Sequence, residues 1–176
     1  MSVVATYVRV NEDALEALRG DAEWMDTLYG GRIPGAQVLD VDKACDGLIW
    51  LLSRMPMPAA VPVAGSGFVL RRSLAPMLSG AGGTKEPRLE APYGPASVLT
   101  PQQVIEVSGW LDSIDFDQLR TRYDPQAMTT AGVYPQIWIQ DGSAAFDEYL
   151  LPHFDRLRKF LAAATTAKQC VIVFFT

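Results

Sequence analysis

The stretch Leu39-Asp40-Val41-Asp42-Lys43-Ala44-Cys45-Asp46-Gly47-Leu48-Ile49-Trp50-Leu51-Leu52 runs two apolar and acidic couples straight into an apolar stripe. Cys45, Leu48, Leu52 and Met55 recur at alternating three- and four-residue spacing, which is the period of one helix face. The stretch therefore predicts a buried helix, and its acids admit two readings. Asp42 stands where a helix needs an N-cap, a role worth about 1 kcal/mol. Asp40-Val41-Asp42 after Val38-Leu39 also matches a phosphotransferase pattern, in which one carboxylate attacks phosphorus and the other handles the leaving-group proton. That chemistry wants a hydroxyl or β-branched residue two positions after the second Asp, and Ala44 stands there. The capping reading of Asp42 is the stronger one. Asp40 keeps both options: it can accept backbone N–H groups in the turn, or contact a ligand in a cleft.

Outward from this helix, Val3 to Val10 is β-branched and aromatic and predicts a strand. It stops at Asn11-Glu12-Asp13, an Asn cap followed by two acids suited to the positive end of a helix dipole. A short helix to about Arg19 follows, and Asp21 is placed to cap a second one carrying Trp24, Met25 and Leu28. Gly30-Gly31 and Pro34-Gly35 make a loop, and Pro56 and Pro58 end the helix opened by Asp42.

From about residue 54 to 99 the chain is rich in Pro and Gly, which predicts a mostly irregular excursion with short strands such as Phe68-Val69-Leu70. An excursion of this length is either a binding surface or a tolerated insertion. Thr100-Pro101-Gln102-Gln103 is the clearest helix start, with a Thr cap, Pro at the first helical position and Gln completing a capping box. Asp115 and Asp124-Pro125 open two further short helices. Phe146, Tyr149, Leu150, His153, Phe154, Leu157, Phe160, Leu161 and Ala164 stripe a long amphipathic helix that Pro152 should kink or split. Cys170-Val171-Ile172-Val173-Phe174-Phe175 is apolar on both faces of any strand it forms, as in the centre of a covered sheet.

The 176 residues, 49% hydrophobic and 20% charged, have the composition of one globular domain. A net charge of -5 with no basic run argues against nucleic acid as a partner. No apolar run approaches the roughly 18 residues a bilayer span requires, and the N-terminus carries no secretion-signal pattern. The two cysteines, Cys45 and Cys170, fall in segments read as buried, which fits reduced thiols in a cytoplasm. No cofactor motif is present. Ser79-Gly80-Ala81-Gly82-Gly83-Thr84-Lys85 has the composition of a phosphate loop in the wrong order, so it reads as a flexible loop.

Several segments in succession resemble the YfbM-like family of small bacterial proteins, a domain of unknown function. They are Leu39-Asp40-Val41-Asp42-Lys43 entering a helix with Trp50-Leu51-Leu52, Tyr93-Gly94-Pro95-Ala96 before Leu99-Thr100-Pro101, Val133-Tyr134-Pro135, and the final pairing of an aromatic-rich helix with an apolar strand. The order and spacing cover nearly the whole chain. The resemblance implies one compact α+β domain over residues 1–176. It brings no activity and no catalytic residues with it. The Pro-rich stretch from Met55 to Pro62 and Pro152 depart from the family pattern.

His153 is the only histidine, which leaves it as the sole imidazole base, and its place on the apolar stripe favours a core or interface role. The aromatics Trp24, Trp50, Trp110, Trp138, Tyr93 and Tyr134 read individually as core. Tyr93-Gly94-Pro95 and Tyr134-Pro135 are the exceptions, because Pro beside Tyr makes a rigid aromatic turn suited to binding. The expectation is thus an α+β domain with a small mixed sheet that includes both terminal strands, packed by several helices. The functional expectation is a cytoplasmic bacterial binding or protein-interaction module without catalysis. Its binding residues are Asp40, Asp42, Trp50, Tyr93 and Tyr134, its partner is another protein or a small molecule, and no metal is expected. Two alternatives stay open: a small hydrolase or transferase using Asp40 with His153 or Lys43, and a toxin-neutralising protein.

Overall fold

The computed structural model describes residues 3–55 and 74–176. Five strands form one sheet in the order β2-β1-β5-β4-β3. They are β1 (Ala5–Val10), β2 (Gln37–Asp40), β3 (Thr84–Ala91), β4 (Gly94–Leu99) and β5 (Cys170–Phe175). Every pairing is antiparallel, so the sheet is not mixed as expected. Parallel neighbours need a crossover that returns the chain to its starting end. Here the helical run after β4 brings the chain back beside the end it left, with Leu99 opposite Val171.

The terminal strands pair with each other, and β5 is the central strand, its Val171, Ile172, Val173 and Phe174 no more than 2% exposed. Alternation along β1 and β5 serves two cores at once. Ala5, Tyr7, Val171 and Val173 join the larger one, and Val8, Val10, Ile172 and Phe174 the smaller. The smaller core is closed by α1 (Glu12–Arg19) and α2 (Trp24–Tyr29), where Trp24 meets Phe174 edge-on at 5.0 Å. The larger is closed by α3 (Ala44–Leu52), α4 (Pro101–Asp112), α5 (Phe116–Arg122), α6 (Pro125–Thr130), α7 (Trp138–Asp141) and α8 (Leu151–Thr166). The molecule is an α+β sandwich of helices, sheet and helices. Burying each large aliphatic side chain in such a core contributes about 1.5–3 kcal/mol.

The caps at Asn11, Thr100, Asp115 and Asp124 form as expected, with the capping box between Thr100 and Gln103 complete. Asp21 differs: it accepts the Glu23 N–H at 2.8 Å, one turn ahead of α2, which Glu23 precedes without a side-chain cap. Just before Pro152 the last helix changes pitch without breaking. Residues Ala145–Leu150 form a wider π-helical turn, and the regular helix resumes at Leu151. Proline has no N–H and its ring crowds the carbonyl one turn back, which favours the looser turn there.

The described part of the 54–99 excursion includes regular structure. Ala75–Ser79 form a 3-10 turn, and β3 and β4 pair as a hairpin at the sheet edge. Glycine at position 94, with φ 101°, makes the turn. The charged and proline-containing sequence Lys85-Glu86-Pro87-Arg88 reads as loop locally, yet it suits an edge strand, whose outer side must discourage further pairing. The expected strand at Phe68-Val69-Leu70 and the helix stop at Pro56 and Pro58 lie outside the described residues. Among the described residues no helix is long and apolar enough to cross a membrane.

Candidate functional site

The turn between β2 and α3 is bolted to the start of β1: Val41 N–H donates to the Ala5 carbonyl at 3.2 Å, and Ala5 N–H to the Asp42 carbonyl at 3.3 Å. Asp42 lies in the left-handed region at φ 49°, a conformation that Asp tolerates better than most residues. This overturns the capping reading. An N-cap takes extended backbone, whereas the residue before α3 is Lys43 and no side chain caps the helix. The Asp40 carboxylate accepts the Asp42 N–H at 2.5 Å, so it is Asp40 that anchors the turn.

Asp42 is thereby free to face the last helix. Tyr149, carried by the π-helical turn, donates its hydroxyl to Asp42 Oδ2 at 2.9 Å. Burial raises the Tyr149 pKa first, and the Asp42 carboxylate raises it further, so the phenol stays protonated. His153, one turn on, packs its ring edge-on against Tyr149 with centroids 5.1 Å apart. Burial lowers the His153 pKa, Arg156 adds to the lowering, and Asp42 and Asp40 oppose it. Among the described residues no hydrogen bond joins His153 to Asp40, and His153 Nδ1 is buried without a partner.

On the other side of α3, Gly47 decides the packing. A Cβ there would lie 2.7 Å from Cη2 of Trp138 and 2.9 Å from Cδ2 of Leu150. The bare backbone lets the Trp138 ring sit against α3, and Trp138 Nε1–H donates to the Val133 carbonyl at 2.8 Å. That fixes the Tyr134 segment over the first turn of α3, where Tyr134 N–H donates to Asp46 Oδ2 at 2.8 Å. The Tyr134–Pro135 peptide bond is cis.

At the start of α3 lies a half-open pocket of about 140 Å³, with Lys43, Asp46, Tyr134, Ile49 and Phe175 among its lining residues. Cys45 also lines it, with Sγ 3.6 Å from the Tyr7 hydroxyl, which donates to the Leu78 carbonyl. Burial pushes the Cys45 thiol up to about 11, which keeps it protonated and poorly nucleophilic at neutral pH.

The structure brings Asp40, Asp42 and Tyr134 to one end of α3. Trp50 is one helical turn beyond Asp46 and outside the pocket lining, its ring covered by the Arg54 guanidinium at 3.6 Å. Tyr93, 44% exposed, is at the tip of the β3–β4 hairpin, on the far side of the sheet from β2. Trp24, Trp110 and Trp138 are core. Sequence reasoning missed the contacts of Tyr149 and Asp46, and it named Lys43 only as a candidate partner of Asp40. Tyr149 sits on an apolar stripe and Asp46 in a helix's first turn, so only the fold gives them partners. It also missed β2 itself, a four-residue edge strand with one buried side chain.

A family model described as "Domain of unknown function (DUF1877)" matches residues 1–174. The fold is similar to the crystal structure of a protein of unknown function, YfbM from Escherichia coli, with a TM-score of 0.64 and 16% identity over 98% of this chain and 99% of that one. Among curated proteins, none matches.

Proposed function

The chain belongs to the DUF1877 family, and from that premise we propose that it is a bacterial, cytoplasmic, non-catalytic binding module whose recognition surface is the β2–α3 turn with the adjoining pocket. The single observation that carries this reading is the pairing pattern around α3. Lys43 and Asp46 line the same pocket, yet among the described residues neither is in an ion pair. Opposite charges left apart on a partly apolar wall are suited to contacting something else.

The groups a hydrolase would use have other occupations. Asp40 accepts its own turn's N–H, Asp42 accepts the Tyr149 hydroxyl, and Cys45 is held protonated. A base must reach the proton it abstracts, and among the described residues the sole imidazole, His153, has no carboxylate hydrogen-bonded to orient it. Two buried free thiols are in keeping with a reducing compartment. A small molecule fits the pocket better than a protein loop fits the scattered Tyr93 and Tyr134.

The test is an NMR titration of the isotope-labelled full chain with a mixture of small polar metabolites, followed by mass spectrometry of the mixture. Amide shifts confined to Lys43, Cys45, Asp46, Ile49 and Tyr134, with every component recovered unchanged, are expected. Consumption of any component, or shifts elsewhere only, would overturn the reading.

A further inference from the structure

We propose that the pocket at the start of α3 takes a small zwitterion with an apolar side group, the chemistry of a free aliphatic α-amino acid. This deepens the binding reading above and rests on it. Three observations converge. First, the volume of about 140 Å³ is well below the roughly 300–1,000 Å³ of pockets for drug-sized ligands, so the occupant is small. Second, the wall offers one charge of each sign. Among the described residues the Lys43 ammonium has no carboxylate within ion-pair distance, and Asp46 spends Oδ2 on the Tyr134 N–H while Oδ1 has no partner. Third, Ile49, Phe175 and the Tyr134 ring supply an apolar remainder.

A ligand with only a carboxylate would engage Lys43 and leave the exposed Asp46 carboxylate to solvent. A ligand with only an amine would do the reverse. The α-amino acid backbone presents both groups about one bond length apart from a common carbon, and its side chain projects away from them. Lysine suits the carboxylate as a mobile point charge on a long stem. Asp46 suits the ammonium because its position is already fixed by the Tyr134 backbone, so little ordering is required on binding.

The experiment is calorimetric titration of the full chain with L-leucine, and separately with 4-methylpentanoate and 3-methylbutylamine, which each lack one charged group. Leucine is expected to bind at least about ten-fold more tightly than either analogue, since each analogue gives up one charged hydrogen bond. Lys43→Met should weaken leucine binding by a similar factor and leave its melting temperature near wild type, which separates lost recognition from misfolding. Equal affinity for leucine and the singly charged analogues, or no binding of leucine at millimolar concentration, overturns the inference. If leucine fails while another metabolite shifts the Lys43 and Tyr134 amides, the zwitterion assignment falls and the binding surface stands. If nothing shifts those amides, both fall.

Discussion

Tyr149 and Asp42, 107 positions apart in the chain, are joined by a hydrogen bond of 2.9 Å from the phenol to the carboxylate. The bond ties the π-helical turn to the left-handed turn before α3, so each irregular segment holds the other in place. A hydrogen bond to a charged group contributes about 1.5–3 kcal/mol, and half-burial puts this one toward the lower end. Tyr149→Phe should therefore lower the unfolding free energy by about 1–2 kcal/mol in urea titration. Asp42→Asn should cost a similar amount, and the double variant less than the sum of the two. Strict additivity in that cycle would show that the contact is not made in solution.

Gly47 admits the Trp138 ring to α3. Alanine is the better helix former by roughly 0.5–1 kcal/mol, but its methyl would enter space already filled by the fully buried Trp138 and Leu150. Overpacking a filled core costs about 1–3 kcal/mol. Gly47→Ala should thus destabilise by about 1 kcal/mol and change the Trp138 fluorescence, with thermal unfolding as the measurement. A stabilised variant would mean that the ring moves aside freely.

His153 makes acid stability testable. Its pKa is below the ordinary 6.5 in the folded chain, chiefly through burial. A folded state that resists protonation loses stability when the unfolded chain takes up the proton first. The contribution is complete above about pH 6.5 and declines as the pH falls toward the lowered folded value. The melting temperature of the wild type should drop more steeply below that point than that of His153→Gln. Parallel curves for the two would assign the acid sensitivity to carboxylates alone.

Cys45 and Cys170 carry thiols pushed up to about 11, in both cases chiefly by burial. At pH 8 this leaves roughly a hundred-fold fewer thiolates than an exposed cysteine has. Iodoacetamide should leave the native mass unchanged over a time that adds two adducts in denaturant. Rapid single labelling of the native chain, mapped to Cys45, would instead identify a reactive thiol in the pocket wall.

Composition and periodicity were enough for the parts of the fold that depend on neighbours in the chain. The stripe from Phe146 to Ala164, the capping box at Thr100 and Gln103, and the doubly apolar Cys170–Phe175 each carry their own signal, because a helix face, a cap and a buried strand are satisfied within a few residues. The family resemblance was legible for the same reason, and family membership and fold agree with it. What remained hidden depends on partners distant in the chain. Pairing turned the charged run Thr84–Ala91 into an edge strand, because only the hydrogen bonds of β4 outweigh its local preference for a loop. The backbone bonds from Ala5 held Asp42 left-handed and so denied it the cap. Gly47 by itself reads as a weak spot in a helix, and only the Trp138 ring, ninety intervening residues away in the chain and held there by core burial against the entropy of ordering the chain, makes it a point of close packing.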